Sequence, residues 1–115
     1  MHKLNIKPLS MNEAFLGRKR KTAKYRDYEI KLPVLLPELE IPDKGPLGLR
    51  LRVGLSNRAA DVDNTIKPFV DVLQSHYCFN DNRVYIIEIT KVKVQKGEEY
   101  ISFDLFPLEE EPFDQ

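Results

Sequence analysis

Cysteine occurs once in this 115-residue chain, at Cys78, so no internal disulfide can staple the fold. A lone thiol fits a reducing, cytoplasmic setting better than an oxidising one. No apolar run approaches the roughly 20 residues needed to span a bilayer, and Met1–Lys7 does not read as a signal peptide. Net charge is missing too, with 18 Lys+Arg against 18 Asp+Glu. Internal repeats and low-complexity stretches are absent. These gaps argue against a membrane protein, a secreted disulfide scaffold and a multi-domain enzyme. What remains is 42% hydrophobic and 31% charged, the balance of one small globular domain over residues 1–115.

The zero net charge conceals an asymmetry. Residues 1–60 carry 13 Lys/Arg and 6 Asp/Glu, and residues 61–115 carry 5 and 12. A basic half beside an acidic half suits a polyanion-binding surface next to a carboxylate site for cations. Two solvated ends are the plainer explanation of the same numbers.

Hydrophobic spacing predicts the elements. Leu4 and Ile6 alternate with polar neighbours in a short strand that stops at Pro8. Residues 10–24 read as a polar, basic loop entering a helix, on which Tyr25, Tyr28 and Leu32 share a face. Prolines 33, 37, 42 and 46 predict a connection without regular structure. Leu47, Leu49, Leu51, Val53 and Leu55 give the clearest strand, with Gly48, Arg50, Arg52 and Gly54 on its other face. A second helix buries Ile66, Phe69, Val70 and Leu73, with Asp63 or Asn64 as its N-cap and Pro68 in its first turn. Phe79–Arg83 is a turn, and residues 84–94 form a strand whose alternation slips near Thr90–Lys91, as a bulge would produce. Lys96-Gly97 then closes a hairpin onto Tyr100–Phe106, and an acidic tail from Pro107 frays. The order β-α-β-α-β-β predicts an α+β domain, a mixed sheet covered by helices in two layers.

Chemistry concentrates in Asp61-Val62-Asp63-Asn64-Thr65-Ile66-Lys67 and in Asp81. Asp61 and Asp63 lie two residues apart in a loop leaving a strand, and Asp81 precedes the next strand. Three converging carboxylates repel one another unless a hard cation sits among them. Mg²⁺ prefers oxygen ligands and keeps waters that can serve as nucleophiles. Lys67, one helical turn after Asp63, could offset charge on a phosphorane-like transition state. An N-cap at Asp63 and a surface Lys67–Asp71 pair would explain the same residues without chemistry. An EF-hand loop is excluded, because Ile66 stands where it needs glycine and Val72 where it needs glutamate. The DxDxT string of aspartyl-phosphate phosphatases is excluded because Asn57–Ala60 is no buried parallel strand.

Asn57-Arg58, Asp61-x-Asp63-Asn64-x-x-Lys67-Pro68-x-x-Asp71-x-Leu73 and Asn80-Asp81-x-x-Val84 resemble the motifs of the RusA family of Holliday junction resolvases. The match extends more loosely to Arg18–Lys24, Tyr25-Arg26-Asp27 and Lys96-Gly97. The resemblance implies a homodimeric, Mg²⁺-dependent endonuclease that nicks four-way DNA junctions symmetrically in recombination and repair, with Mn²⁺ as a possible substitute. By position it implies Asp61, Asp63 and Asp81 as metal-binding carboxylates and Lys67 as the essential lysine. It gives Asn64, Asp71 and Asn80 supporting places near the site. Asn80 departs from the family pattern, which has a first aspartate there, and so lowers the charge of the site.

Arg18, Lys19, Arg20, Lys21 and Lys24 form the densest basic cluster. With Arg58 they are the candidate contacts to DNA phosphates, against the alternative of a solvated loop. Phe15-Leu16, just before the cluster, could wedge into an open junction. His76-x-Cys78 is too small a ligand set to indicate zinc. A branched-DNA clamp that does not cut is the second functional reading. A small-molecule phosphohydrolase is the third, and it leaves the basic half unexplained.

Overall fold

The computed structural model describes residues 1–17 and 20–114. In chain order the elements are β1 (His2–Leu4), α1 (Met11–Ala14), β2 (Phe15–Leu16), β3 (Arg20–Lys21), α2 (Ala23–Leu35), β4 (Leu47–Leu55), α3 (Ile66–Tyr77), β5 (Val84–Lys93) and β6 (Tyr100–Pro107). Short 3₁₀ turns at Val62–Thr65 and Asp81–Arg83 precede α3 and β5. The main sheet is mixed, in the order β1-β6-β4-β5, with β4 and β5 parallel and the other pairs antiparallel. The domain is α+β with a mixed sheet and helices, and α1 and the β2–β3 ribbon stand where a plain basic loop was expected. Among the described residues no helix is long and apolar enough to cross a membrane.

β4 is central because its alternation lets it bury one whole face. Leu47, Leu49, Leu51, Val53 and Leu55 point toward the helices and are buried. Ile101, Phe103 and Leu105 of β6 continue that face, and α3 lays Phe69 and Leu73 onto it. The Phe69 and Phe103 rings meet edge-on, 5.4 Å apart. Helix α2 adds Tyr25, Tyr28 and Leu32, as its spacing predicts. It runs on through Pro33, which falls in the last turn, where the missing N–H costs one hydrogen bond at a fraying end.

The expected hairpin between β5 and β6 does not form. The 94–99 connection instead carries the chain past β4, and β6 pairs with β4. Gly97 supplies the turn within that connection at φ +96°. Two glycines explain the choice of partner. Gly48 lies opposite Phe106 and Gly54 opposite Tyr100, and a Cβ at either glycine would stand 2.5 Å from the facing ring. Each ring thus lies over a glycine of β4, a fit that a β5 carrying Ile86 and Val92 at those registers does not offer. β5, with Glu88, Lys91 and Lys93, suits the edge, where charged side chains reach water.

Two further expectations are corrected. The irregularity in β5 lies at its start, where Val84 pairs with Leu47 but Ile86 with Gly48, leaving Tyr85 as the extra residue; Thr90–Lys91 is regular. Neither Asp63 nor Asn64 caps α3. The 3₁₀ turn takes up both residues, Thr65 stands at the helix start without a side-chain cap, and Asp61 precedes the turn. Pro68, third in α3, needs no N–H partner there.

Helix α3 ends on Cys78 at φ +56°, the left-handed position that usually holds glycine. The side chain is exposed, so its packing contributes little against the strain of that conformation. Cys78→Gly is expected to raise stability by about 0.5–1 kcal/mol, the strain relieved less the extra chain entropy of glycine. Urea denaturation of both proteins measures it, and an unchanged or lower midpoint would show that the cysteine is unstrained.

Candidate active site

The βαβ unit β4-α3-β5 arranges the acidic residues. Asp61 and Asp63 follow the C-terminal end of β4, whereas Asp81 precedes the N-terminal end of the parallel strand β5. A parallel pair puts those positions at opposite strand ends, with α3 leading back between them. Among the described residues, no group of three His, Cys, Asp or Glu side chains is gathered closely enough to hold a metal ion. The expected convergence of Asp61, Asp63 and Asp81 is therefore not preformed in the protein alone.

Lys67 links the two ends. Its side chain runs along α3, donating to Asp71 Oδ1 at 2.7 Å and standing 3.7 Å from Asp81 Oδ2. The hydrogen bond to Asp71, reinforced by the charges of Asp71 and Asp81, holds the ammonium above its usual range, against a smaller opposing effect of burial. Lys67 is accordingly protonated at neutral pH. Asp71 Oδ2 lies 3.5 Å from the Tyr25 hydroxyl on α2, which burial and the Asp71 charge keep protonated, with its pKa pushed up to about 12.

Asp61 and Asp63 are exposed, and among the described residues neither makes an ion pair. Asn64 is half-buried, its N–H donating to the Asp61 carbonyl. The Asn80 side-chain oxygen accepts from the Asn82 N–H, so it caps the 81–83 turn. The Asp81 N–H donates to Gln74 Oε1, which ties the start of β5 to α3.

The loop between β4 and the 62–65 turn is held from several sides. Lys91 Nζ donates to the carbonyls of Arg58 and Ala60, 2.6 Å each, and Lys93 Nζ donates to the Ser56 carbonyl. Ser56 Oγ donates to Glu99 at 2.8 Å, a bond that lowers the Glu99 pKa. Asn57 Oδ1 accepts from the Ala59 N–H. Sequence reasoning missed Lys91, Lys93, Gln74 and Tyr25 in these places. Lysines two apart at the end of a strand were the one available signal for the first pair.

The basic candidates lie on several elements. Arg18 and Lys19 lie outside the described residues. Arg20 is exposed on the β2–β3 ribbon, and Lys21 pairs with Glu29 while its ammonium sits 4.9 Å from the centre of the Tyr25 ring. Lys24 pairs with Glu13 at 2.9 Å, a contact that lowers the Glu13 pKa. Arg58 is exposed in the loop held by Lys91. Of the expected wedge, Phe15 packs edge-on against Tyr25 and only Leu16 points outward, at 64% exposure. Arg50 and Arg52 lie on the helix-free face of the sheet, engaged with Glu88 and Tyr100.

Residues 7–102 match the family model described as endodeoxyribonuclease RusA. The matched span contains α1, the ribbon, both larger helices and every acidic residue discussed above. No individual curated protein matches the chain.

Proposed function

The chain belongs to the endodeoxyribonuclease RusA family, and on that premise we propose that it resolves four-way DNA junctions by paired, symmetric nicks as a Mg²⁺-dependent homodimer. The observation that supports this best is the Lys67 ammonium, held between Asp71 and Asp81 on the helix that follows the open Asp61-x-Asp63 turn. Two exposed carboxylates there fit a hard cation that takes one or two protein carboxylates and completes its shell with water and a substrate phosphate. Asp61 and Asp63 would hold it, and Mn²⁺ could replace Mg²⁺ on the same oxygens. When bound, the ion supplies Lewis acidity toward the phosphate and an activated water.

The chain's own residues do the rest. Lys67, protonated, turns from Asp81 toward a non-bridging phosphate oxygen and offsets the charge that grows there in the transition state. Asp71 keeps its hydrogen bond and fixes the direction of that swing. Water adds in line as the P–O3′ bond breaks, leaving 5′-phosphate and 3′-hydroxyl ends. A junction has near two-fold symmetry, so two copies related by a dyad present one such site to each of two opposed strands.

Cleavage of a labelled synthetic four-way junction, beside a linear duplex of the same sequence, tests the proposal. Metal-dependent paired nicks confined to the junction are expected in Mg²⁺ and absent in EDTA. Two observations favour a second reading, a clamp that binds branched DNA without cutting. The acids are not gathered at one point, and Asn80 spends its oxygen as a turn cap. Tight junction binding with no cutting in either metal would select that reading.

The ribbon is expected to contribute through phosphate neutralisation. Replacing Arg18, Lys19, Arg20 and Lys21 by Gln should lower the slope of log affinity against log salt by up to about 3–4. Fluorescence anisotropy between low and physiological salt measures it. An unaltered slope would place the ribbon away from DNA.

A further inference from the structure

We propose that Lys91 is a positioning residue for cleavage, holding the backbone from which Asp61 springs. This rests on the nuclease reading above and adds a residue to it.

The bulge at the start of β5 makes the placement possible. Without the extra Tyr85, strict pairing with β4 would bring Ile86, Glu88, Thr90 and Val92 to the helix side. The register shift brings Ile87, Ile89, Lys91 and Lys93 there instead, beside Leu49, Leu51, Val53 and Leu55. Two ammonium groups therefore leave the edge strand on the face where the chain turns out of β4.

That chain carries carbonyls with no ladder partner, because β4 has ended. Lys91 takes two of them, Arg58 O and Ala60 O, and Lys93 takes Ser56 O. An ammonium has three donors, so bridging two carbonyls two residues apart uses most of its capacity and fixes the curvature of the segment between them. Ala60 is the residue before Asp61, so its carbonyl belongs to the peptide unit from which Asp61 springs. Shifting that unit moves the carboxylate with it. The 62–65 turn also packs against β5, so the loop and the turn that follows it rest on the same strand.

A carboxylate without an ion pair depends on its backbone for position. Among the described residues Asp61 makes none, and displacement of about 1 Å at a reacting centre can cost on the order of 100-fold in rate. Lys91 is near the DNA-facing loop yet committed to two carbonyls, which separates it from a phosphate contact.

The test compares Lys91→Met, Lys91→Arg and wild type on the four-way junction. For Lys91→Met we expect single-turnover cleavage to fall about 10–100-fold, the range seen when groups supporting a site are lost. The Mg²⁺ concentration for half-maximal rate should rise, while junction affinity in EDTA and its salt slope stay within two-fold. Hydrogen exchange across residues 56–62 should accelerate, and Lys91→Arg, whose guanidinium can span two carbonyls, should recover much of the rate. A weakened affinity with a smaller salt slope would overturn positioning in favour of phosphate contact. Unchanged cleavage and exchange in Lys91→Met, with an active wild type, would overturn the inference alone. A wild type that cuts no junction would overturn the inference and the nuclease reading together.

Discussion

Asp63→Asn is expected to reduce junction cleavage at least about 100-fold while leaving junction binding intact or slightly tighter. The two side chains have the same shape, so the substitution removes charge without removing volume. Asp63 is exposed and, among the described residues, makes no ion pair, so stability should stay within about 0.5 kcal/mol of wild type. Loss of a negative charge near a polyanion cannot weaken binding electrostatically, which is why affinity should hold or improve. Single-turnover cleavage in Mg²⁺ and anisotropy binding in EDTA separate the two effects. Lys67→Ala offers the complementary pattern. It leaves Asp71 and Asp81 without their shared cation and should lower cleavage by a similar factor while also weakening binding modestly. Full activity in Asp63→Asn would remove the carboxylate from the mechanism and with it the reason to place a cation at the 61–63 turn.

Much of this was legible in the residues, and the exceptions have physical causes. The alternation of Leu47–Leu55 and the helical stripe at Phe69, Val70 and Leu73 located the core directly, because burial acts on every second or every third to fourth residue. The pairing of β6 was misjudged because a Gly-containing turn signal between two strands is local, while strand pairing is decided across the sheet. The better signal was the spacing of Gly48 and Gly54, which equals that of Tyr100 and Phe106, as the observed register requires. The acidic motif named Lys67 and its carboxylates but not the bond from Lys67 to Asp71 or its approach to Asp81. Motif order does not carry the information that a parallel crossover sets Asp61 and Asp81 at opposite strand ends. Lys91 was read as a residue at a slip in alternation, since its partners are backbone carbonyls far away in sequence, and no side-chain pattern advertises a carbonyl.

Phe103→Ala is expected to cost about 3–5 kcal/mol. The ring is fully buried, opposite Leu51 on one side and His2 on the other, with Phe69 edge-on at 5.4 Å. The strand and helix around it cannot collapse into the void without breaking the β6–β4 ladder, so the cavity cost should be felt nearly in full. Domains of this size commonly have only about 5–15 kcal/mol in total, so the midpoint of thermal unfolding should fall on the order of 10–25 °C. Phe103→Leu, which keeps most of the volume, should cost about 1–2 kcal/mol by the same measurement. A drop under 1 kcal/mol for Phe103→Ala would mean that the Phe103 ring does not fill the space between β6, β4 and α3. The double variant with Phe69→Ala should cost less than the two single losses added, because both rings border one space. The consequence reaches the site. Phe69 follows Lys67 by two residues in α3, so its contact with Phe103 sets how that helix is rotated on the sheet. The same rotation directs Lys67 and Asp71 outward toward Asp81. Cleavage by Phe103→Ala, assayed well below its own unfolding midpoint, should therefore fall by more than the unfolded fraction accounts for. A loss equal to that fraction would show that the core supports the site only by keeping the chain folded.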